Sequence, residues 1–273
     1  MELASAQAIK EILYPDGFHF SKSMGQNFLI NPSVPERIAA TLPAGYGVVE
    51  VGPGLGALTD RLSQRAEKLM AVELDDRLLP HLESYFRDRP VTIVKGDVLK
   101  VDLPALVSEH LPGLPLVAYA NLPYYITTPA IEVLMESGLF ESITLMVQKE
   151  VAKRITTTPG STDYSYHTVY WQYMAEPKIL FNVSPGSFLP PPKVDSAVVS
   201  FTMRKEPPVP VKDKKTFFKV VRLAFDNRRK TMSNALSSLP GGKEALAASG
   251  VDPRRRGDTL SIPEFAAIAN LIP

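Results

Sequence analysis

A short apolar run that leads directly into a glycine turn constrains the fold of this chain more than any other feature. Gly47–Val51 is typical of a buried parallel strand, and Gly52-Pro53-Gly54-Leu55-Gly56 follows it. Glycines at such a turn let the backbone come close to a ligand. Glu73 lies 21 residues after Gly52, at the end of the next predicted strand. A carboxylate there can accept hydrogen bonds from both hydroxyls of a ribose, so the sequence predicts a nucleotide-like ligand.

Strands and helices alternate along the chain after this turn. The further predicted strands are Lys68–Glu73, Val91–Val94, Pro115–Ala120 and Ile143–Val147. The predicted helices between them are Leu58–Ala66, Asp75–Phe86 and Thr128–Ser137. Lys178–Val183 and Ser196–Met203 alternate in polarity, as an antiparallel pair does. This order predicts an α/β fold with a Rossmann-like, mostly parallel sheet, an antiparallel edge pair, and ligands bound at the carboxyl ends of the strands.

Charge is distributed unevenly along the chain, although the whole chain has a net charge of only +1. Residues 1–192 carry 15 Lys/Arg and 21 Asp/Glu, whereas residues 193–273 carry 15 and 8, a net +7. A proline cluster at 207–210 marks the predicted linker between a domain at 1–204 and a small helical domain at 205–273. The predicted helices of the second domain are Asp213–Phe225, Thr231–Leu239 and Pro263–Leu271, the last capped by Ser261. The basic segment indicates either an anionic partner or a solvated helical face.

Composition excludes several classes of protein. The chain has no cysteine, which rules out a disulfide scaffold, a thiol nucleophile and a Cys-ligated zinc site. The four histidines are scattered, so we expect no metal. No apolar run reaches the roughly 20 residues that span a bilayer, and the first 20 residues do not resemble a signal peptide. We therefore expect a soluble, cytoplasmic protein.

Asn121-Leu122-Pro123-Tyr124 follows the fourth strand and carries the most specific chemistry. The exocyclic amine of adenine is a weak nucleophile because its lone pair is delocalised into the ring. Asn121 can accept one amine hydrogen through its side-chain carbonyl, and Leu122 or Pro123 can accept the other through a backbone carbonyl. Tyr124 can stack on the base, an interaction worth roughly 1–3 kcal/mol. The pattern indicates methyl transfer to adenine by alignment of donor and acceptor, without a strong base.

The glycine turn alone leaves the cofactor open. Gly52-x-Gly54-x-x-Ala57 with Glu73 also satisfies the pattern of an NAD-dependent dehydrogenase. Asp97, after the third strand, can accept a hydrogen bond from the amine of a bound adenine, but Gly96-Asp97 is equally common turn chemistry.

Together, five motifs resemble the small-subunit (16S) ribosomal RNA adenine N6,N6-dimethyltransferases, the kasugamycin-sensitivity type of dimethyladenosine transferase. Besides Asn121–Tyr124, they are Lys22–Leu29, Phe188–Ser196, Asn227–Thr231 and Leu260–Phe265. The resemblance runs from about residue 20 to the end. It implies a class I methyltransferase sheet, S-adenosylmethionine as cofactor, and double N6 methylation of two adjacent adenines in a hairpin loop near the 3′ end of 16S rRNA.

The resemblance also implies a role for individual residues. Those expected to bind the cofactor are Asn27, Leu29, Gly52, Gly54, Glu73, Asp97, Val98 and Asn121. Those expected to act on the target base are Asn121, Leu122, Pro123, Tyr124 and Phe188, with Tyr124 and Phe188 on its two faces. Two basic clusters are expected to contact RNA phosphates: Arg228, Arg229, Lys230, Arg254, Arg255 and Arg256. The expected partner is 16S rRNA in the small subunit or its precursor, bound by a monomer.

Three other functions remain open at the level of sequence. A 23S rRNA adenine methyltransferase of the antibiotic-resistance type shares the Asn-Leu-Pro-Tyr motif. A DNA adenine methyltransferase is disfavoured, because no target-recognition domain is visible. A ribosome-assembly factor with secondary methylation belongs to a different class, and Glu73, Asp97 and Asn121 argue against the loss of activity.

Overall fold

The computed structural model describes residues 1–15, 17, 19–20, 25–226 and 228–273. Lys22–Met24 and Asn227, which belong to two of the motifs, lie outside the described residues. Contacts divide the chain into two compact units. The first comprises residues 1–152 and 178–203, and the second comprises 153–177 and 204–273. The boundary predicted near 204 assigned residues 153–177 to the first domain, whereas their contacts group them with the C-terminal residues.

Helices and strands alternate through the first unit. The strands are β1 (Phe28–Leu29), β2 (Gly47–Val51), β3 (Lys68–Glu73), β4 (Val91–Lys95), β5 (Leu116–Asn121), β6 (Ser142–Gln148), β7 (Ala175–Val183), β8 (Phe188–Leu189) and β9 (Ser196–Met203). The first helices along the chain are α1 (Ala6–Leu13), α2 (Ser33–Ala39), α3 (Ala57–Ser63), α4 (Leu79–Tyr85), α5 (Leu103–His110), α6 (Thr127–Glu136) and α7 (Lys149–Thr156), the last of which continues into the second unit. Of these helices, α1, α2 and α5 were not predicted from the sequence.

Seven strands form one sheet in the order β4-β3-β2-β5-β6-β9-β7. The five strands from β4 to β6 pair in parallel, whereas β9 runs antiparallel to β6 from Ser142↔Thr202 to Gln148↔Ser196. The expected α/β architecture with a mostly parallel sheet is therefore confirmed. Helix α4 begins four residues later than predicted, because Asp75 and Asp76 form a turn in which Leu78 N–H donates to the Asp75 carbonyl at 3.0 Å.

Burial explains why the central strands read as continuous apolar runs. Every residue of β2 is buried, and Val48, Leu69, Ala71 and Val117 belong to one hydrophobic core with the covering helices. Strands covered on both faces have no solvent side, so they lack polar alternation. Because β2 to β5 are parallel, their carboxyl ends meet at one edge of the sheet, where the predicted polar residues lie.

A separate two-stranded ladder joins distant parts of the first unit. Strand β1 pairs antiparallel with β8, with Phe28 opposite Leu189 and Leu29 opposite Phe188. It brings the end of the Lys22–Leu29 motif beside the start of the Phe188–Ser196 motif.

The second unit is helical. Its helices are α8 (Tyr166–Met174), α9 (Lys214–Asp226), α10 (Met232–Ala235), α11 (Gly242–Ala248) and α12 (Ile262–Ala269). Phe217, Val220, Val221 and Ala224 form the buried face of α9, as their spacing predicts. Its core also contains Tyr164, Val169 and Tyr173, which belong to the stretch 153–177 between the two segments of the first unit.

Helix ends in the second unit agree with the sequence at one position and differ at another. Ser261 caps α12 in a capping box with Glu264, as expected. The predicted helix Thr231–Leu239 is wrong in length, since α10 ends at Ala235. Leu239 N–H donates to Leu236 rather than to residue 235, and Pro240 and the left-handed Gly241 follow. None of the described helices is long and apolar enough to cross a membrane.

Candidate functional site

A cleft of about 1120 Å³ opens at the carboxyl edge of strands β2 to β5. Every residue that the sequence assigned to the cofactor or the target base lines this cleft: Asn27, Leu29, Gly52, Gly54, Glu73, Asp97, Val98, Asn121, Leu122, Pro123, Tyr124 and Phe188. Residues separated by up to 161 positions in the chain therefore share one site. The convergence follows from the parallel strands, which deliver their C-terminal residues to one edge.

The glycine turn after β2 forms the floor of the cleft. Gly52 and Gly54 have φ values of +66° and +59°, a region that residues with a Cβ rarely adopt. A Cβ at Gly54 would lie 3.1 Å from the ring of Phe28, whereas one at Gly52 would have no atom within 4 Å. Gly54 is therefore needed both for conformation and for packing, and Gly52 leaves open space beside the backbone.

Glu73 is held in place by two backbone N–H groups. Its Oε2 accepts from Gly54 at 3.1 Å, and its Oε1 accepts from Asp75 at 2.8 Å. Burial raises the pKa of this carboxyl, and the two backbone donors partly counteract that effect. Each carboxylate oxygen has a second lone pair, so Glu73 keeps acceptor capacity for ribose hydroxyls.

Glu50 is a polar residue of the cleft to which the sequence gave no role. Its side chain is 1% exposed, and its Oε2 has no hydrogen-bond partner within the described part of the chain. Burial, opposed in part by Thr59 and aided by the nearby charge of Glu73, raises its pKa to about 8. A buried, unpaired carboxyl oxygen favours a cationic or hydrogen-donating ligand. The signal in the sequence was an acidic residue at the end of an otherwise apolar strand.

S-adenosylmethionine carries a ribose, an adenine, an ammonium group and a sulfonium, and the cleft offers a matching set of groups. Glu50, whose Oε2 is unpaired among the described residues, lines the same cleft as Glu73, and two carboxyl groups suit a ligand with positive charge and hydroxyl donors. No cluster of three or more metal-ligating side chains occurs among the described residues.

Asp97 lies in a local turn at the cleft wall. Its Oδ1 accepts from Leu99 N–H at 3.0 Å, and its Oδ2 lies 3.3 Å from Lys100 Nζ. Its side chain keeps 25% exposure, whereas Val98 is buried at 4%. Asp97 therefore forms the turn that Gly96-Asp97 suggested and also borders the cleft, and its contact with adenine stays a prediction.

The amide of Asn121 has a defined orientation. Its Nδ2 donates to the carbonyl oxygen of Asn27 at 3.3 Å. The side-chain oxygen is consequently the acceptor of that amide, and it accepts no hydrogen bond from the described residues. Asn27 in turn donates through its own Nδ2 to the Gly25 carbonyl at 3.0 Å. The segment before β1 thus orients the residue at the end of β5.

The two backbone carbonyls proposed as the second acceptor differ. The Pro123 carbonyl accepts from Ile126 N–H at 3.1 Å, in the short 3₁₀ turn Tyr124–Ile126. The Leu122 carbonyl accepts no hydrogen bond from the described residues. Of the two alternatives that the sequence left open, the geometry favours Leu122.

Tyr124 and Phe188 differ in how much of each ring a base could reach. Tyr124 is half-buried, and its hydroxyl lies 2.7 Å from Ser196 Oγ, which fixes the ring. Phe188 lines the cleft, but it is only 2% exposed and packs in the hydrophobic core. Stacking of a base on Phe188 requires that this ring be uncovered, so its part in the base sandwich stays a prediction.

A polar cluster that the sequence did not reveal supports the outer wall of the cleft. Asp75 accepts from Gln26 Nε2 at 2.6 Å and from Arg77 Nη2 at 2.6 Å. Hydrogen bonds from Arg77 lower the pKa of the Asp75 carboxyl. Gln26 and Asp75 both line the cleft, and their contact spans 49 residues of chain, which no local pattern could indicate.

The second unit brings its two basic clusters together. Thr231 and Arg256 form an antiparallel bridge, and Met232 N–H donates to the Arg255 carbonyl at 2.7 Å. The end of the stretch 228–230 and the end of the stretch 254–256 therefore adjoin at this bridge, although 23 residues separate the two stretches in the chain.

Three of the six predicted RNA-binding side chains, those of Arg228, Arg254 and Arg255, already have protein partners. Arg228 donates to the carbonyls of Thr162 and Tyr164 at 2.9 and 3.0 Å. Arg255 is paired with Glu264 and bonded to Thr259. Arg254 pairs with Asp252 at 3.1 Å but stays 88% exposed. Arg229, Lys230 and Arg256 are exposed, with no ion pair among the described residues.

The sheet, the glycine turn and the Asn-Leu-Pro-Tyr turn at its edge define an S-adenosylmethionine-dependent methyltransferase. A sequence model of the family "Ribosomal RNA adenine dimethylase" matches residues 17–273. The chain belongs to this family, and it is an enzyme that transfers methyl groups from S-adenosylmethionine to adenine in ribosomal RNA.

Individual relatives are similar over their whole length. A protein of Geobacillus thermodenitrificans and one of Bacillus licheniformis, both called ribosomal RNA small subunit methyltransferase A, are each 44% identical to this chain. The alignments cover 99% and 98% of this chain and 97% of each relative.

Solved structures share the fold. The 23S rRNA methyltransferase ErmE superimposes with a TM-score of 0.70 at 25% identity, over 90% of this chain and 99% of ErmE. A dimethyladenosine transferase from Plasmodium falciparum gives a TM-score of 0.72 at 24% identity, over 88% and 95% of the two chains, which shows the fold alone.

Proposed function

We propose that this enzyme dimethylates the N6 amines of two adjacent adenines in a hairpin loop near the 3′ end of 16S rRNA, during assembly of the small subunit. It does so as a monomer in the cytoplasm. The choice of the small subunit is supported by the relatives named small subunit methyltransferase A, whose length matches that of this chain almost completely. Each target base must leave its stack to enter the cleft, a step that costs least in a loop.

The observation that carries the mechanism is the orientation of Asn121. Because its Nδ2 is bonded to the Asn27 carbonyl, its oxygen is available to accept a hydrogen from the target amine. The Leu122 carbonyl is available for the second amine hydrogen. In the first transfer to each base, two acceptors placed in this way draw the nitrogen lone pair out of conjugation with the ring and make the amine nucleophilic; the monomethylated amine keeps one N–H, which one of these acceptors binds in the second transfer. The proton lost on methylation passes to water, since a methylated adenine amine that carries an extra proton is a strong acid.

Residues at the ends of different strands contact different parts of the cofactor. Gly52 and Gly54 let the backbone approach the methionine part, Glu50 supplies a buried carboxyl beside it, and Glu73 holds the ribose. Asp97 and Val98 border the adenine of the cofactor, with Asn27 and Leu29 closing over it. When bound, S-adenosylmethionine supplies an electrophilic methyl group, so the protein has to bind, orient and exclude water rather than provide a base.

Phosphate contacts are proposed for the basic clusters of the second unit. Arg229, Lys230 and Arg256 are exposed, and the Thr231–Arg256 bridge places the segments that carry them next to each other, which favours contact with a phosphate backbone. Arg254 adds an exposed charge, whereas Arg228 and Arg255 act mainly by holding this surface in shape.

Transfer of tritiated methyl groups to defined substrates tests the proposal. Small subunits lacking the modification, large subunits and duplex DNA are incubated with the enzyme and labelled cofactor, and the labelled base is then mapped. We expect two labelled adenines near the 3′ end of 16S rRNA. Label confined to 23S rRNA would instead support a function like that of ErmE, with which this chain shares 25% identity.

A further inference from the structure

An exposed aromatic ring stands at the mouth of the cleft. Tyr125 lines the cleft, and 59% of its surface is exposed. Within the described residues, the other exposed aromatic side chain is Tyr14, at the end of α1 and outside the cleft. Burial of a large aromatic ring is favourable, so a ligand that covers this exposed ring gains binding free energy from the contact.

Tyr125 differs from its neighbour Tyr124 in how it is held. The hydroxyl of Tyr124 is bonded to Ser196, whereas that of Tyr125 has no partner in the described part of the chain. The two rings follow one another in the 3₁₀ turn Tyr124–Ile126, so they leave the backbone in different directions. The ring of Tyr124 is half-buried, whereas that of Tyr125 is mostly exposed to solvent.

The ring of Tyr125 has a glycine as its neighbour. A Cβ at Gly25 would lie 3.5 and 3.6 Å from Cδ1 and Cε1 of Tyr125, and 3.3 Å from Pro123 Cβ. The backbone of Gly25, with φ of +59°, therefore lies near the ring with space for about one methyl group between them. Because Gly25 carries no side chain, no Cβ at this position covers the ring, and most of its surface stays open to a planar ligand.

We propose that Tyr125 is a second base-binding platform, which stacks on the nucleotide next to the target adenine in the RNA strand. The inference rests on the proposed function, because a target base inside the cleft places its neighbours at the opening. The ligand class is an unpaired nucleobase, since stacking is the interaction that an exposed ring without hydrogen-bonding partners offers. Tyr124 and Tyr125 then hold consecutive bases splayed apart on consecutive residues.

Fluorescence of 2-aminopurine tests the contact directly, because stacking quenches this base. The probes are two hairpin RNAs with the sequence of the 16S 3′ loop, carrying 2-aminopurine on the 5′ or the 3′ side of the target adenines. We expect the unaltered chain to quench one probe, Tyr125→Phe to retain the quenching and Tyr125→Ala to lose it. Tyr14→Ala removes another exposed tyrosine, which lies outside the cleft, and should leave the signal unchanged.

A double-mutant cycle measures the coupling in the reaction. Small subunits are reconstituted with 16S rRNA that carries either the normal base or an abasic nucleotide at the quenched position. Tyr125→Ala should lower kcat/KM for normal subunits by about 5- to 100-fold, in line with the loss of one base–aromatic stack. On abasic subunits the unaltered chain and Tyr125→Ala should react equally. The Kd for S-adenosylhomocysteine should be the same for both proteins.

The outcomes separate the inference from the function on which it rests. Equal effects of Tyr125→Ala on normal and abasic subunits, or quenching that survives in Tyr125→Ala, would overturn the inference while methylation of 16S rRNA still stands. A weakened Kd for S-adenosylhomocysteine would also overturn it, by assigning the ring to the cofactor. Failure of the unaltered chain to methylate any small subunit would overturn the proposed function, and the inference with it.

Discussion

The two units of this enzyme use their polar residues in different ways. The first has 14 Lys/Arg and 20 Asp/Glu, whereas the second has 16 and 9, a net +7. In the first unit, all twelve residues expected at the site line one cleft. In the second, Arg228 and Arg255 are largely occupied by carbonyls and by Glu264. A glycine or an amide at the end of a parallel strand therefore indicates a ligand site more specifically than an arginine does. A guanidinium has five donors, and it can use them for hydrogen bonds within the protein as well as for RNA phosphates.

The largest effect is expected at Asn121. Asn121→Ala removes the acceptor for the target amine, and we expect the single-turnover rate of methyl transfer to fall by about 10²- to 10³-fold, as for other positioned polar groups that stabilise a transition state. RNA affinity should change little, and cofactor affinity by less than about tenfold. Asn182→Ala, an exposed asparagine of the same unit outside the cleft, is the matched control. Unchanged turnover in Asn121→Ala would remove the mechanism.

Because Glu50 is buried, we expect the stability of the first unit to decline as the pH rises. Because its pKa is raised to about 8 in the folded state, from 4.5, the native state binds more protons than the unfolded state between these values. Its contribution is therefore complete below about pH 4.5 and is lost as the pH rises through about 8. Glu50→Gln should flatten this decline by an amount of the order of a few kcal/mol, measured by denaturant unfolding from pH 5 to 9. Identical pH slopes for the two proteins would contradict the burial of an unpaired carboxyl.

Glu73 predicts a change in cofactor affinity rather than in RNA binding. Glu73→Gln replaces a carboxylate by a weaker acceptor and sets an amide against the N–H of Gly54. We expect the Kd for S-adenosylhomocysteine to rise by about 10- to 100-fold, as for loss of charge-assisted hydrogen bonds. Glu83→Gln, an exposed carboxyl on α4, provides the control. Calorimetric titration gives both values, and equal affinities would exclude Glu73 from the ribose site.

The basic surface predicts a change in salt dependence. Replacing Arg229, Lys230 and Arg256 with glutamine should weaken RNA binding by about tenfold at low salt and reduce the slope of log K against log[salt] by about 2–3. Replacing Arg228 and Arg255 instead should lower the melting temperature and affect the slope less, because these side chains hold the surface together. The same loss of slope in both variants would erase the distinction between the two groups.

The smallest effect concerns acid stability in the second unit. A hydrogen bond from Arg255 lowers the pKa of Glu264 to about 2, so its contribution is present above about pH 4.5 and lost as the pH falls through about 2. Glu264→Gln keeps a capping acceptor but loses the charge. We expect it to remove no more than about 1 kcal/mol at pH 7, since the pair is partly solvent-exposed, and nothing at pH 2. A loss that grows toward pH 2 would contradict this sign, which is opposite to that of Glu50.

The sequence predicted the sheet and the cleft residues well because both follow from order along the chain. An apolar strand ending in Gly52, Glu73 or Asn121 contributes its last residue to a known edge. It predicted contacts between distant surfaces poorly. The Gln26–Asp75 hydrogen bond and the occupation of Arg228 by two carbonyls depend on how loops fold back, and no periodicity encodes that. Glu50 stands directly before Val51 and the glycine turn in the sequence. Its burial, which raises its pKa and leaves one oxygen unpaired among the described residues, became apparent only from the structure.

The stretch 153–177 lies between the two chain segments of the first unit but belongs to the second unit, so the two units depend on each other during synthesis of the chain. Tyr164, Val169 and Tyr173 belong to the core that Phe217 and Phe265 complete. During translation this stretch is made before helices α9 and α12, which complete its core. Its apolar face therefore stays exposed until the C-terminal residues have been synthesised. Removing residues 204–273 would expose the same apolar face to solvent. The helical unit is therefore not a detachable appendage, and a chain that lost it would be expected to aggregate rather than survive as a free-standing methyltransferase.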